Sequence, residues 1–267
     1  VFGCTGQHLI ANDKNFLGWI APGRAFTYGG VTRSLRLSAL MGGDASGNMI
    51  VTIPGVDANN YTTVEMRHRT GFDVRLPGDA VIVHTVDKTR KDPAWVRGTN
   101  GAAGAMFTTG QTYTVPTTMT TVRVTSVTGA NAVVVISNGV NPAVTSLSTT
   151  SGRAGTPVTI TGTNLSPEAT VTFGATSATS VTGGTGTGLT VVTPALANGT
   201  YPITVTNPDG RTATAGTFTV ITAVAVAPTA RASGPNAGIP AVALPARIAA
   251  PTPAATTPTP RPAPIAR

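Results

Sequence analysis

Apolar and polar residues alternate with a period of two over most of this chain. In VTRSLRLSAL, Val31, Leu35, Leu37 and Ala39 share one face, while Thr32, Ser34, Arg36 and Ser38 share the other. That is the pattern of a half-buried strand. Arg33 breaks the inner face and is placed at a sheet edge. GGDASGN (42–48) is a turn-rich connection into MIVTIPG, and YTTVEMRHR (61–69), AVIVHTV (80–86), TVRVTSV (121–127) and AVVVIS (132–137) are further strands. Short strands separated by Gly, Pro, Asn and Asp turns predict an antiparallel sandwich or barrel. Residues 8–19, HLIANDKNFLGW, depart from this period. Their apolar groups recur at three- and four-residue spacing up to Gly18, which predicts a short helix. Residues 88–110, rich in Gly, Lys, Asp and Asn, read as a long loop around Trp95.

Asn141-Pro142 marks a fresh start, followed by the strands PAVTSLS, TPVTITG, ATVTFG, LTVVTP, GTYPITVTN and GTFTV. Pro157 opens a strand or lies at an edge, because it has no N–H to give to a ladder. Six short strands in about eighty residues fit an immunoglobulin-like sandwich. Beyond residue 221 the chain is rich in Pro, Ala and Thr, with ten prolines from Pro228 onward. Such a segment buries too little surface to offset its ordering entropy and reads as a disordered linker or tail. The expected organisation is therefore all-β with four parts. Residues 1–20 are the end of a preceding domain, 21–140 a β-sandwich with a short helical remnant, 141–221 an immunoglobulin-like sandwich, and 222–267 a tail. Residues 141–221 are expected to fold alone. The helix, with Leu9, Phe16 and Leu17 lacking a partner, is expected to leave an apolar patch and to exchange its amides quickly across residues 5–20.

Composition supports the β reading. Of 267 residues 40% are apolar, 5% aromatic and 10% charged, with 31 Gly and 21 Pro; soluble chains usually carry about 25% charged residues. Abundant Thr and Val favour pleated strands, and no stretch approaches the roughly 20 apolar residues of a membrane-spanning helix. The net charge of +8 is spread out. Residues 141–221 are neutral, with Arg153 and Arg211 against Glu168 and Asp209, and the last 46 residues hold four Arg and no acid. No Lys/Arg run exists, which disfavours nucleic acid as a partner. The single cysteine, Cys4, excludes an internal disulfide and a multi-Cys zinc site. Val1-Phe2-Gly3-Cys4 shows neither a start Met nor a leader, so the chain reads as a mature piece or a fragment.

Two family resemblances attach to particular residues. Pro142-Ala143-Val144, the run Ser151-Gly152-Arg153-Ala154-Gly155-Thr156-Pro157 through Thr163-Asn164-Leu165, Val171-Thr172-Phe173-Gly174, Pro194, Gly199-Thr200-Tyr201 and Val205-Thr206-Asn207-Pro208-Asp209-Gly210 resemble an IPT/TIG domain in order and spacing. Asn12-Asp13-Lys14, Leu17-Gly18-Trp19-Ile20, Tyr61, Val64-Glu65-Met66-Arg67, Gly71-Phe72-Asp73, Leu76-Pro77-Gly78 and Val81 through Asp87 are similar to the region after the catalytic core in secreted zinc metallopeptidases of the gametolysin and immune-inhibitor-A type. That resemblance implies a zinc-bearing peptidase domain upstream, with Val1-Phe2-Gly3 near the family's Met-containing turn.

No H-E-x-x-H occurs here, and His8, His68 and His84 are far apart in sequence. The chain itself is therefore expected to be non-catalytic, with no catalytic residue, metal ligand or cofactor of its own. Glu65, Arg67, Asp73, His84 and Asp87 form the most suggestive polar set. An acid–base or metal cluster is one reading; the favoured one is a charged network fastening a strand pair and the Gly71–Gly78 turn. Asp44-Ala45-Ser46-Gly47-Asn48 has alternate oxygens but lacks an EF-hand's later acid, so it reads as a polar turn. Gly183 to Gly188 lacks the helix and Lys of a phosphate loop and reads as a flexible connection. Asn60, Asn164 and Asn198 satisfy the glycosylation pattern. Trp95 is a candidate binding aromatic, whereas Trp19 is expected to pack. These readings give two functions. One is the non-catalytic C-terminal part of a secreted zinc metallopeptidase, whose partners are the peptidase domain and a cell-surface protein or glycan. The alternative is a free-standing extracellular adhesion protein.

Overall fold

The computed structural model describes residues 9–98 and 104–221. The expected tail, His8, Cys4 and Val1-Phe2-Gly3 lie outside them. A helix, α1 (Ala11–Phe16), precedes nine strands: β1 (Ala25–Thr27), β2 (Arg33–Ser38), β3 (Ile50–Pro54), β4 (Asn60–Arg67), β5 (Ala80–Asp87), β6 (Ala94–Arg97), β7 (Thr112–Thr114), β8 (Thr121–Thr128) and β9 (Asn131–Ser137). They form two sheets, ordered β1-β3-β4-β5-β6 and β2-β9-β8-β7. All pairings are antiparallel except β1 with β3. Leu35, Leu37, Val64, Met66, Val83, Val124, Val134 and Ile136 fill the space between the sheets. Arg33 does sit at an edge, since β2 has a single sheet neighbour, β9.

Period two decides what lies on the other face of the first sheet. Val64 and Met66 point into the core, so Glu65 and Arg67 point out of it. Helix α1 touches β3 and β4, and Ala11, Ile20, Leu40 and Ile50 form a small second core there. The helix is shorter than the apolar spacing predicts. No side chain caps its N-terminus, and Gly18, at φ +74°, takes the left-handed turn that ends it. Trp19 departs from its expected packing role and is 65% exposed, because Ile20 fills the pocket after the turn. The expected long loop around Trp95 contains a strand, β6. Four residues are too few to show a period, and pairing with β5 makes them extended.

The second sandwich holds β10 (Ala143–Leu147), β11 (Ser151–Gly152), β12 (Pro157–Thr163), β13 (Thr170–Phe173), β14 (Thr176–Ser177), β15 (Ser180–Gly183), β16 (Gly188–Val192), β17 (Gly199–Thr206) and β18 (Thr212–Val220). Its sheets run β10-β12-β16-β15 and β11-β18-β17-β13-β14. Along β12, Val158 and Ile160 are buried while Thr159 and Thr161 are exposed. Pro157 is its first residue, where a missing N–H costs least. Phe173 and Phe218 meet edge to face at the centre, with centroids 5.5 Å apart and planes at 88°.

Candidate functional site

Four of the suggestive polar residues meet under α1. Arg67 donates from Nη1 to both oxygens of Asp73, at 3.1 and 3.0 Å, and from Nη2 to the carbonyl of Leu9 at 3.2 Å. Its Nε lies 3.1 Å from Glu65 Oε1. Glu65 Oε2 accepts the main-chain N–H of Ala11 at 2.8 Å. His84 Nδ1 lies 3.8 Å from Glu65 Oε1. Burial opposes charge on Arg67, but the Glu65 and Asp73 carboxylates outweigh it and hold the guanidinium above its ordinary pKa. Burial pushes His84 below its ordinary value, against the opposing pull of Glu65, so the ring is neutral near pH 7.

This arrangement fixes a chain segment. One guanidinium and one carboxylate hold the Leu9 carbonyl and the Ala11 N–H, so the entry to α1 is clamped to β4. Asp73 brings the 71–73 turn into the same network. Asp87 stays outside it, at the far end of β5, where it accepts the N–H and hydroxyl of Thr89. His68 pairs with Asp79 at 2.9 Å. Among the described residues no group of three His, Cys, Asp or Glu is placed to hold a metal.

The clamp presents the other side of α1 to solvent. Phe16 is 89% exposed, and Leu9, Leu17 and Trp19 are exposed with it. Phe16 stands between two hollows. One, about 580 Å³, has an apolar lining that includes Leu9, Leu17, Val86 and Pro93. The other, about 420 Å³, has a mixed lining, with Asn15, Asp57 and Asn60 beside Phe16, Pro54 and Ala58. Tyr61 and Lys88 line both. The Tyr61 hydroxyl donates to Asn12 Oδ1 at 2.8 Å, and the Lys88 ammonium sits 5.3 Å from the centre of its ring. Sequence reasoning did not assemble this groove. Its elements are far apart in the chain, and the only sign of it was an apolar helix face without a partner.

Trp95, the candidate binding aromatic, is 42% exposed on β6. Arg90 stacks on its ring at 3.7 Å, and its indole N–H is given to the Asp92 carbonyl at 3.0 Å. The ring is held, and the stacked guanidinium takes up part of its surface.

A second polar constellation joins the two sandwiches. The Ser137 hydroxyl donates to Asp209 Oδ2 at 2.6 Å and Thr32 Oγ1 lies 3.4 Å from the same oxygen. Arg33 pairs with Glu168 at 2.8 Å, and Glu168 also accepts the N–H of Ser34 at 3.3 Å. Asn164 accepts the N–H of Thr32 at 3.3 Å and donates to the Val140 carbonyl. Gly186, at φ +82°, lets the 183–188 loop approach Val31: a β-carbon there would stand 2.4 Å from a valine methyl. Burial pushes the Tyr28 phenol up to about 12 beside this joint. No local pattern reveals these pairings: in sequence Glu168 and Asp209 balance Arg153 and Arg211, and Asn164 and Asp209 belong to the IPT/TIG-like run.

No helix among the described residues is long and apolar enough to cross a membrane, and no curated protein matches the chain. Among solved structures, an auxiliary nutrient binding protein from Bacteroides ovatus is 24% identical over 31% of this chain and 21% of its own, with a TM-score of 0.27. SGBP-B from the mixed-linkage glucan utilization locus of Bacteroides ovatus, solved with a heptasaccharide, is 16% identical over 72% of this chain and 60% of its own, with a TM-score of 0.26. A gamma-CGTase from alkalophilic Bacillus clarkii is 17% identical over 62% and 25%, with a TM-score of 0.29. The chain thus spans 60% or less of each of these proteins. A family assignment covers the second sandwich: residues 142–220 match the IPT/TIG domain, the immunoglobulin-like module that their turn and strand residues resemble.

Proposed function

We propose that the chain is the non-catalytic binding part of a secreted zinc metallopeptidase. In this reading the first sandwich braces the peptidase domain through the outer face of α1, and the IPT/TIG domain binds a cell-surface protein or glycan. The observation that carries the reading is the clamped helix. A six-residue helix is not stable by itself, yet this one is fixed by buried ion pairs while Leu9, Phe16, Leu17 and Trp19 face outward. A preorganised apolar face loses little freedom on binding, which suits a protein partner. Zinc would belong to that partner. The decisive test is the reading frame upstream of Val1 together with co-expression of whatever domain it encodes. An encoded H-E-x-x-H domain should co-purify with this chain, and Phe16→Ala should weaken the association. An upstream frame without that motif sinks the peptidase link.

The hollow of mixed lining beside Phe16 favours a second reading, a free-standing extracellular adhesion protein that binds glycan. Amide and carboxylate side chains beside an exposed aromatic ring match the hydroxyls and C–H faces of a sugar. Titration with soluble polysaccharides separates the two. Saturable binding lost in Asn15→Ala, in a chain indifferent to any peptidase domain, would establish the adhesion reading.

A further inference from the structure

The turn between β5 and β6 carries the chain's one Asp-Pro pair, Asp92-Pro93. Covalent structure alone makes this bond unusual. The Pro93 nitrogen has no N–H and, as a tertiary amide, is more basic than an ordinary peptide nitrogen. The Asp92 carboxylate reaches its own main-chain carbonyl carbon by closing a five-membered ring. The fold adds a third group. The Trp95 indole N–H donates to the Asp92 carbonyl oxygen at 3.0 Å, so the carbonyl of this bond is polarised by a fixed donor. Arg90 lies over the same ring at 3.7 Å, and its charge strengthens the N–H as a donor. On the far side, the Asp87 N–H donates to the Pro93 carbonyl at 2.8 Å and holds the turn in place. Asp92 and Pro93 are both exposed, so water and protons reach the bond. The other charged groups about the turn are Lys91, Lys88, Asp87 and Asp57; Lys88 donates to the Ala58 carbonyl, and Asp87 accepts the Thr89 hydroxyl.

We propose that Asp92-Pro93 is a self-cleavage site, an acyl-transfer centre that acts once on its own chain in mild acid. A carboxylate oxygen of Asp92 bonds to the Asp92 main-chain carbonyl carbon. The carbonyl oxygen takes up the negative charge, and the Trp95 N–H stabilises it there. The bond from that carbon to the Pro93 nitrogen then breaks. A proton from solvent goes to the nitrogen, which leaves as a secondary amine, and the acyl side becomes a cyclic anhydride. Water opens the anhydride to two carboxyl groups, the Asp92 side chain and a new chain end. One water is consumed for the peptide bond broken, and no oxidant, metal or co-reactant enters. Pairing of Val83 through Val86 with Ala94 through Arg97 holds the pieces 1–92 and 93–267 together afterwards. The new amino end at Pro93 stands in the wall of the apolar hollow beside Leu9, Leu17 and Val86.

Incubating the full chain in mildly acidic buffer and following the two pieces by mass after denaturation tests this. The folded chain should break at Asp92-Pro93 roughly tenfold faster than the free peptide of residues 88–97, which has the same covalent neighbours and no fixed indole. Trp95→Phe keeps a ring under Arg90 but removes the N–H, and should slow the folded chain to the peptide's rate. Asp92→Ala should abolish the break. Equal rates in the folded chain and the peptide would overturn the proposal. So would a Trp95→Phe chain that breaks as fast as the wild type while hydrogen exchange shows the Asp87 amide still protected, or a break that persists in Asp92→Ala.

Discussion

The two sandwiches share an architecture and differ in what they bury. The first hides Glu65, Arg67, Asp73 and His84 beneath a helix on the outer face of one sheet. The second buries no Asp, Glu, Lys, Arg or His side chain within its apolar core, which is built from Val, Ile, Leu, Ala and two Phe. Its charges Glu168 and Asp209 are used at the joint. An apolar core depends on shape and area, whereas a buried ion network depends on every member keeping its partner. The first sandwich is therefore the one whose stability follows protonation and single-atom changes, and the second the one that answers mainly to volume.

Removing one partner from the network is the sharpest way to break this comparison. Arg67→Ala leaves Glu65 and Asp73 without their shared cation and should cost about 3–5 kcal/mol, read by denaturant unfolding. Amide protection at Ala11 should fall with it. Phe173→Ala is the matching change in the second sandwich; it opens a cavity against Phe218 and should cost about 3–4 kcal/mol, with no effect on α1. If Phe173→Ala also releases the helix, the two regions are not separable in this way.

Acidification gives a smaller, directional effect. Folded His84 binds a proton less readily than the unfolded chain, whose imidazole titrates near the ordinary 6.5. Below that pH the unfolded state takes up a proton that the folded state resists, so stability falls as pH drops through 6.5 and recovers above it. The groups facing the ring are Glu65, Arg67 and Asp13. Unfolding midpoints measured on either side of 6.5 should show this fall in the wild type and a flatter response in His84→Gln. The joint supplies the smallest effect. The Arg33–Glu168 pair is about a quarter to a third exposed, so Glu168→Gln should cost about 0.5–1 kcal/mol. Residues 141–221 made alone should still fold, with stability reduced by a similar small amount. Failure of that module to fold alone would show that the joint contributes far more.

Strand positions were legible wherever an alternating run exceeded about five residues, because one buried face fixes the pattern. β4, β5, β8, β9 and β12 all have that length. The strands β6, β7, β11, β14 and β15 have two to four residues, too few to carry a period, and are recruited by longer neighbours. The grouping of Glu65 with Arg67 was legible from their spacing of two on one strand. Asp87 falls outside the cluster because it stands three positions from His84, and an odd spacing puts it on the opposite face of β5. The joint and the groove were hidden for a stronger reason. Both are made by residues more than forty positions apart, such as Asn12 with Tyr61 and Thr32 with Asn164, whose meeting depends on tertiary packing and on no local pattern.

The position of Asn164 has a consequence for how the protein must be made. Its Asn-Leu-Ser triplet reads as an acceptor for a sugar chain, yet its amide N–H is donated to the Val140 carbonyl and its oxygen accepts the N–H of Thr32. An oligosaccharyltransferase that reaches this triplet on the emerging chain, before the second sandwich forms, would put a sugar on the nitrogen that donates to Val140 and crowd the joint. Cells that decorate nascent chains should therefore yield a mixture of jointed and unjointed molecules. Cells lacking that machinery should yield one species from the same coding sequence.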